Sequence, residues 1–396
     1  MTQRAALIRC PDVTWPLRVA AGCALWVLLA LAGQSAAAAP AVLDFSASER
    51  ARIASHGPWP PAAVADASNR VAGRREAVAL GQRLFFDSRL SANGRINCAT
   101  CHPPARAFQD GLPVAQGLAA GQRNTPTLLD VAQQRWFGWD GANDSLWAAS
   151  LVPLRAESEM GQRTERIAAL LRSDLRLAQA YQAAFRQEPP ADDERLLVDV
   201  AKALAAYQAT LGSPRTPFDD FRDALMRGDL AAASRYPLAA QRGLRFFIGE
   251  GRCSVCHVGG RFSNGEFADI GVPFFVPGGV DPGRHGGLQK LRAGGKSRLG
   301  PFNDAAGADP GRVSTQHLVI EPRHFGEFRV PGLRQLVHTA PYMHNGSLAT
   351  LEDVVQHYSR LNEERLHADG ERILRPLKLS AAEAADLAAF LRSLSR

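Results

Sequence analysis

The sequence predicts a mainly α-helical protein built from two related halves with long irregular loops, and three observations carry that prediction. Apolar residues recur at i, i+3 and i+4 over residues 164–185 and 192–211, which is the period of an amphipathic helix. A second pair of helical segments is an internal repeat: Ala79-Leu80-Gly81-Gln82-Arg83-Leu84-Phe85-Phe86 returns as Ala240-Gln241-Arg242-Gly243-Leu244-Arg245-Phe246-Phe247. Each copy leads into the same pentapeptide pattern, Cys98-Ala99-Thr100-Cys101-His102 in one half and Cys253-Ser254-Val255-Cys256-His257 in the other. Strand-like alternation is sparse and short.

Taken in order, residues 1–39 read as a leader outside the fold. Arg4, Arg9 and Arg18 precede an apolar run from Val19 to Ala32, and Gln34-Ser35-Ala36-Ala37-Ala38-Ala39 supplies small residues for cleavage. The run falls short of the ~20 residues a spanning helix needs. A membrane anchor, or lipidation at Cys23, is the alternative. Of the six cysteines, Cys10 and Cys23 lie in this leader and the other four occupy the two pentapeptides, so no pair remains for a structural disulfide. Without the leader the formal charge falls from +7 to +5. The arginines are scattered and form no basic run of the kind that grips nucleic acid. The remaining length suits two domains, 40–232 and 233–396, with no membrane span in the mature chain.

Two cysteines three apart can each add across a vinyl group on one edge of a haem, and the histidine that follows can reach the iron. A single copy is also compatible with zinc or with a redox dithiol. Neither of those requires a histidine directly after both pairs, and here His102 and His257 both occupy that position. The expectation is therefore two covalently bound c-type haems, one in each of two cytochrome c-like domains packed together. Cys98, Cys101 and His102 hold the first; Cys253, Cys256 and His257 hold the second. Covalent haem attachment takes place outside the cytoplasm, which agrees with the leader and points to the periplasm. Four haem propionates would bring the net charge close to neutral.

The other elements follow from local signals. Ser213-Pro214-Arg215-Thr216-Pro217 breaks the helical pattern. Residues 276–316 are rich in Gly, Pro and Asp without periodicity, and read as one long irregular loop carrying His285 and ending just before His317, both surface histidines rather than ligands. Thr350 caps a helix opening at Leu351, and Ser380-Ala381-Ala382-Glu383 is a capping box for the last helix, which runs to the C-terminus.

Several further blocks occur in order. They are Leu84-Phe85-Phe86-Asp87, Gly121-Gln122-Arg123-Asn124-Thr125-Pro126-Thr127, Trp139-Asp140-Gly141, Glu159-Met160, and Thr339-Ala340-Pro341-Tyr342-Met343-His344-Asn345-Gly346-Ser347. With the two pentapeptides, this set resembles the bacterial di-haem cytochrome c peroxidase and MauG family over nearly the whole mature chain. The resemblance implies a site, residue by residue. The peroxidase branch has a histidine eight residues before Asn124 that closes the first iron; this chain has Gln116, and a neutral amide is a poor iron ligand. An open, peroxide-ready first haem is therefore expected, as in the MauG branch. The family's acid-base glutamate falls at Glu159, with Glu157 as the nearest rival, and its bridging tryptophan at Trp139, with Trp136 and Trp147 nearby. The second iron's outer ligand, Met in peroxidases and Tyr in MauG, falls at Tyr358, with His357 and Met343 as rivals. Tyrosinate favours ferric and higher iron. Asn124, Thr339 and Pro341 match positions that hold a calcium ion in the family. The implied activity is oxidation, by hydrogen peroxide, of a periplasmic redox partner or a protein substrate. A cytochrome-fed peroxidase and a non-enzymatic electron carrier are the competing readings.

Overall fold

Helices supply nearly all the regular structure in the computed structural model, which describes residues 41–62, 65–277, 279–370 and 373–396. The expected leader, 1–39, lies outside the described residues. In the first half of the chain the helices are α1 (Ala47–Ala54), α2 (Arg75–Phe85), α3 (Cys98–Cys101), α4 (Leu146–Arg155), α5 (Thr164–Ser173), α6 (Leu175–Phe185) and α7 (Asp193–Gln208). The second half has α8 (Pro217–Met226), α9 (Leu230–Ala233), α10 (Leu238–Ile248), α11 (Arg284–Ala293), α12 (Gly311–Gln316), α13 (Leu351–Ser359) and α14 (Ala381–Arg392). Four two-residue strands form two antiparallel ribbons: β1 (Phe267–Ala268) with β4 (Phe328–Arg329), and β2 (Phe275–Val276) with β3 (Gly279–Val280). No helix among the described residues is long and apolar enough to cross a membrane.

Local chemistry accounts for the helix ends. Thr350 Oγ1 accepts from the Asp353 amide at 3.1 Å, opening α13. Ser380 and Glu383 exchange hydrogen bonds in both directions ahead of α14. The 164–185 segment is two helices rather than one, because the Asp174 carboxylate accepts from the amides of Arg176 and Leu177 and starts α6 afresh.

Residues 42–396 form one body with two hydrophobic cores. The first gathers residues of α2, α4, α5, α6 and α7; the second gathers residues of α1, α8, α10, α13 and α14. The position expected for the domain boundary, 232/233, falls inside the short helix α9, between α8 and α10, whose Phe218 and Phe221, and Leu244 and Phe247, belong to the same second core.

The two cores repeat one crossing. A Cβ on Gly81 of α2 would lie 1.9 Å from the Ala203 carbonyl oxygen and 2.9 Å from the Tyr207 Cβ on α7. One on Gly243 of α10 would lie 2.0 Å from the Asp386 carbonyl oxygen and 2.9 Å from the Phe390 Cβ on α14. Each glycine thus lets the helix that leads into a pentapeptide lie directly on the backbone of its partner, above an aromatic residue one turn on.

The expected irregular loop over 276–316 is corrected. It holds the β2–β3 hairpin, α11 and α12. Gly286 and Gly287 within α11, and Gly283 and Gly294 at its two ends, hide its helical period from the sequence, and the close approaches use them: a Cβ on Gly287 would meet the Asp140 carbonyl oxygen at 2.1 Å and one on Gly283 the Glu327 carbonyl oxygen at 2.4 Å. The segment also reaches the first core, where Lys202 Nζ donates to the Phe302 carbonyl at 2.7 Å and pairs with Asp304 at 2.6 Å.

Gly81→Ala and Gly243→Ala force two backbones apart. Each is expected to cost about 1–3 kcal/mol or more in denaturant unfolding, whereas Gly94→Ala, where nothing lies within 4 Å of the added methyl, meets no such clash and costs only what its positive φ of 67° imposes.

Candidate active site

Both pentapeptides end on a histidine held by its own loop. His102 donates its amide to the Cys98 carbonyl at 2.9 Å, and its Nδ1 lies 2.9 Å from the Phe108 carbonyl. A carbonyl only accepts, so Nδ1 carries the proton and Nε2 keeps its lone pair for a metal. His257 repeats this, with its amide on Cys253 and Nδ1 2.9 Å from the Phe262 carbonyl. Phe108 and Phe262 both take left-handed backbone conformations, φ 58° and 57°, which turn their carbonyls back to the ring. Burial pushes both imidazoles below their ordinary pKa, so each is neutral and fit to ligate. Burial also raises the thiols, Cys98 to about 12, Cys101 to about 11 and Cys253 to about 12. No cluster of three or more His, Cys, Asp or Glu able to hold a metal occurs among the described residues.

Near the first motif the chain brings Gln116 and Glu159 together across 43 positions. Gln116 bridges Ala120 in a tight antiparallel turn. The Leu118 and Ala119 amides then donate to the Glu159 and Ser158 carbonyls, each at 3.0 Å. Gly117 is obligatory, since its Cβ would lie 2.4 Å from the Ser158 carbonyl oxygen. The Gln116 side chain is exposed, and its backbone carbonyl sits 3.8 Å from the Cys101 sulfur. Glu159 is half-buried while Glu157 is exposed. The Glu159 carboxyl has no hydrogen bond among the described residues, and burial raises its pKa. It lies close enough to both thiols to push them up as well.

The second motif opens on a cavity of about 1070 Å³, above the ~300–1,000 Å³ typical of cofactor clefts. Cys253, Cys256 and His257 line it, the set that covalent haem attachment requires, and Tyr358 lines it with them. Burial, and then the two thiols, hold the Tyr358 phenol well above the usual tyrosine range. His357 is committed elsewhere, with Nε2 2.8 Å from the Ile270 carbonyl; Met343 shares the cavity wall at φ 75°.

Trp139 also lines this cavity, its indole N–H donating to the Asn124 carbonyl at 2.8 Å. Of its rivals, Trp147 is fully buried and donates to Ser68, while Trp136 is 1% exposed beneath the Arg284 guanidinium. Asn124 donates its amide to the His344 carbonyl at 2.7 Å and its Nδ2 to the Leu112 carbonyl, which leaves Oδ1 as an oxygen donor. Thr339 and Pro341 line the same cavity. An oxygen-only set of this kind suits a hard cation such as calcium.

Sequence reasoning missed three supports. Arg123 pairs with Asp140 at 2.8 Å and Asp281 at 2.6 Å, tying the Asn124 loop to the segment before α11. His344 stacks on Phe328 with ring centres 3.5 Å apart. His56 stacks on Phe262 at 4.5 Å and braces the loop that holds His257; burial lowers its pKa to about 4. The repeated Phe after each motif was the one available signal, and His56, 201 positions from His257, left none.

Two haem-attachment motifs on a duplicated helical scaffold define a di-haem c-type redox protein. A family model described as di-haem cytochrome c peroxidase matches residues 75–227. The methylamine utilization protein MauG of Methylorubrum extorquens is 34% identical over 81% of this chain and 78% of its own length. Cytochrome-c peroxidase IdrP1 of Denitromonas iodatirespirans is 36% identical over 86% of each. A solved MauG-like protein associated with microbial copper homeostasis superposes with a TM-score of 0.62 at 28% identity, covering 86% of this chain and 95% of that one. The chain belongs to the di-haem cytochrome c peroxidase and MauG family, and is a haem-dependent oxidoreductase of the peroxidase class.

The raised Glu159 pKa has a thermodynamic sign. Its protonated form is favoured in the folded state, so its contribution is harmless below the ordinary value of 4.5 and becomes a cost as pH rises toward the folded pKa. Glu159→Gln is therefore expected to unfold at higher denaturant than wild type at pH 7, with the difference vanishing in acid. A constant difference across pH would contradict burial as the cause.

Proposed function

We propose that the chain is an exported di-haem c-type enzyme that takes hydrogen peroxide at an open N-terminal haem and oxidises a partner protein or electron donor through a second haem ligated by His257 and Tyr358. The observation that carries this reading is Tyr358, which lines the cavity of the second motif while the rival His357 has its Nε2 engaged 2.8 Å from the Ile270 carbonyl. The haems, when bound, supply peroxide reduction and storage of the oxidising equivalents. Converting one peroxide to two waters takes two protons from solvent and two electrons from the partner.

The chain's own residues divide that work. His102 offers Nε2 because the Phe108 carbonyl holds its other nitrogen. Gln116 replaces a strong ligand with a neutral amide. Glu159, unpartnered and with its pKa raised by burial, gives and takes the proton. Trp139, fixed by the Asn124 carbonyl, is the relay for charge between the two centres. Asn124 Oδ1 with Thr339 and Pro341 oxygens would hold a calcium ion, and residues 1–39 would direct export to the periplasm. Likeness to MauG suggests an aromatic side chain on a cognate polypeptide as the electron source. Likeness to IdrP1 favours a second reading, peroxide removal with electrons from a small cytochrome; it shares the first centre and differs in the donor.

Electron paramagnetic resonance of the ferric protein is expected to show one high-spin and one low-spin haem, both signals lost together on adding one equivalent of peroxide without prior reduction. Two low-spin haems inert to peroxide would end this reading. Gln116→His should turn the first signal low-spin and slow the reaction. Glu159→Gln should slow peroxide turnover by about 10²–10⁴-fold with both haem spectra nearly unchanged. Tyr358→Met should leave peroxide binding intact while making the second haem easier to reduce.

A further inference from the structure

Two of the arginines that line the second cavity have no carboxylate partner among the described residues. Arg334 is satisfied there by a bidentate pair with Asp219 at 2.8 Å, and Arg284 by the Asp140 and Gly141 carbonyls and the faces of Trp136 and Phe267. Arg329 and Arg261 are different. Arg329, 5% exposed on β4, donates Nε to the Gly138 carbonyl at 3.2 Å and has no carboxylate partner among the described residues. Arg261 follows His257 by four positions and donates to the Gln133 carbonyl at 3.0 Å. The acid nearest to it in effect, Asp130, is bonded to Ser213 and forms no ion pair with it.

Burial and the neighbouring Arg261 push Arg329 down to about 9. A guanidinium scarcely ever gives up its proton, so this marks a missing counter-charge. One buried cation, Arg329, and one half-buried cation, Arg261, facing one cavity call for an anion within it. A haem fixed by its vinyl edge to Cys253 and Cys256 carries two carboxylates on its opposite edge, and an Arg–carboxylate pair is the strongest match in charge and geometry.

We propose that Arg329 and Arg261 form a carboxylate-binding subsite for the propionates of the haem attached at Cys253 and Cys256. The proposal rests on the two-haem reading but not on peroxide reactivity. Arg329 also bonds through its amide to the Trp139 carbonyl at 2.8 Å and holds its guanidinium 6.0 Å from that ring, so the residue that neutralises the cofactor also backs the candidate relay.

Spectroelectrochemical titration of the purified holoprotein tests it, with haem attachment at both motifs checked by mass. Removing a cation beside a haem disfavours its reduced form, so Arg329→Gln and Arg261→Gln should each lower the midpoint potential of the second haem and leave the first unmoved, while Arg329→Lys stays near wild type. Arg261→Gln, at a half-buried loop position, gives the same answer should Arg329→Gln fail to fold. Unchanged potentials in a variant that still carries both haems would overturn the proposal. So would unchanged potentials with a raised KM for an anionic donor, which would assign the subsite to substrate. A wild-type mass lacking the second haem would sink the two-haem reading as well.

Discussion

The organisation of both centres depends on one hydrogen bond made twice, from an imidazole Nδ1 to the carbonyl of a phenylalanine a few residues further on. It selects the tautomer, fixes the ring plane and leaves Nε2 as the only nitrogen able to ligate. The backbone pays for it with a left-handed residue at Phe108 and again at Phe262. Around that shared device the halves keep the same helix crossing, with Gly81 on α7 and Gly243 on α14. A duplicated mechanical core of this kind can hold two cofactors alike while everything else about them diverges.

The divergence is electrostatic. The first motif is faced by a carboxyl without a partner, Glu159, beside a turn whose side chain at Gln116 is a neutral amide. The second is faced by a phenol, Tyr358, by the buried cation Arg329 and by the half-buried Arg261. On the function proposed above, an acidic proton carrier suits the centre that would take peroxide and a hard oxygen donor suits the one that would hold charge. Between them, Arg123 joins Asp140 to Asp281, and the Asn124 amide meets the His344 carbonyl, so the loop after the first motif forms part of the second motif's cavity. That interlock explains why 42–396 form one body although they contain two cores.

Short-range signals made part of this legible without coordinates. The C-x-x-C-H pentapeptides, the capping residues Thr350 and Ser380, and the amphipathic period of α5, α6 and α7 are local, and local steric and hydrogen-bonding preferences decide them. Family spacing added Glu159, Trp139 and Tyr358 as candidates. Other features were hidden for reasons that can be named. Asp174 looked like one more polar residue in a long helix, and became a cap because its side chain folds back on the next turn. Helix α11 was masked by its glycines, one of which is there for a contact with Asp140 that no sequence neighbour reveals.

The sequence by itself determined the chemistry available: two cofactor attachment points, helices to carry them, and one amide and one phenol where other ligands were to be expected. Only the tertiary structure decided which groups meet. It half-buried Glu159 and exposed Glu157, turned His357 to a carbonyl and Tyr358 to the cavity, and set His56 against the loop of a histidine 201 positions away. The reason is that burial, ion pairing and ring stacking are set by contacts distant in the chain, which local spacing does not encode.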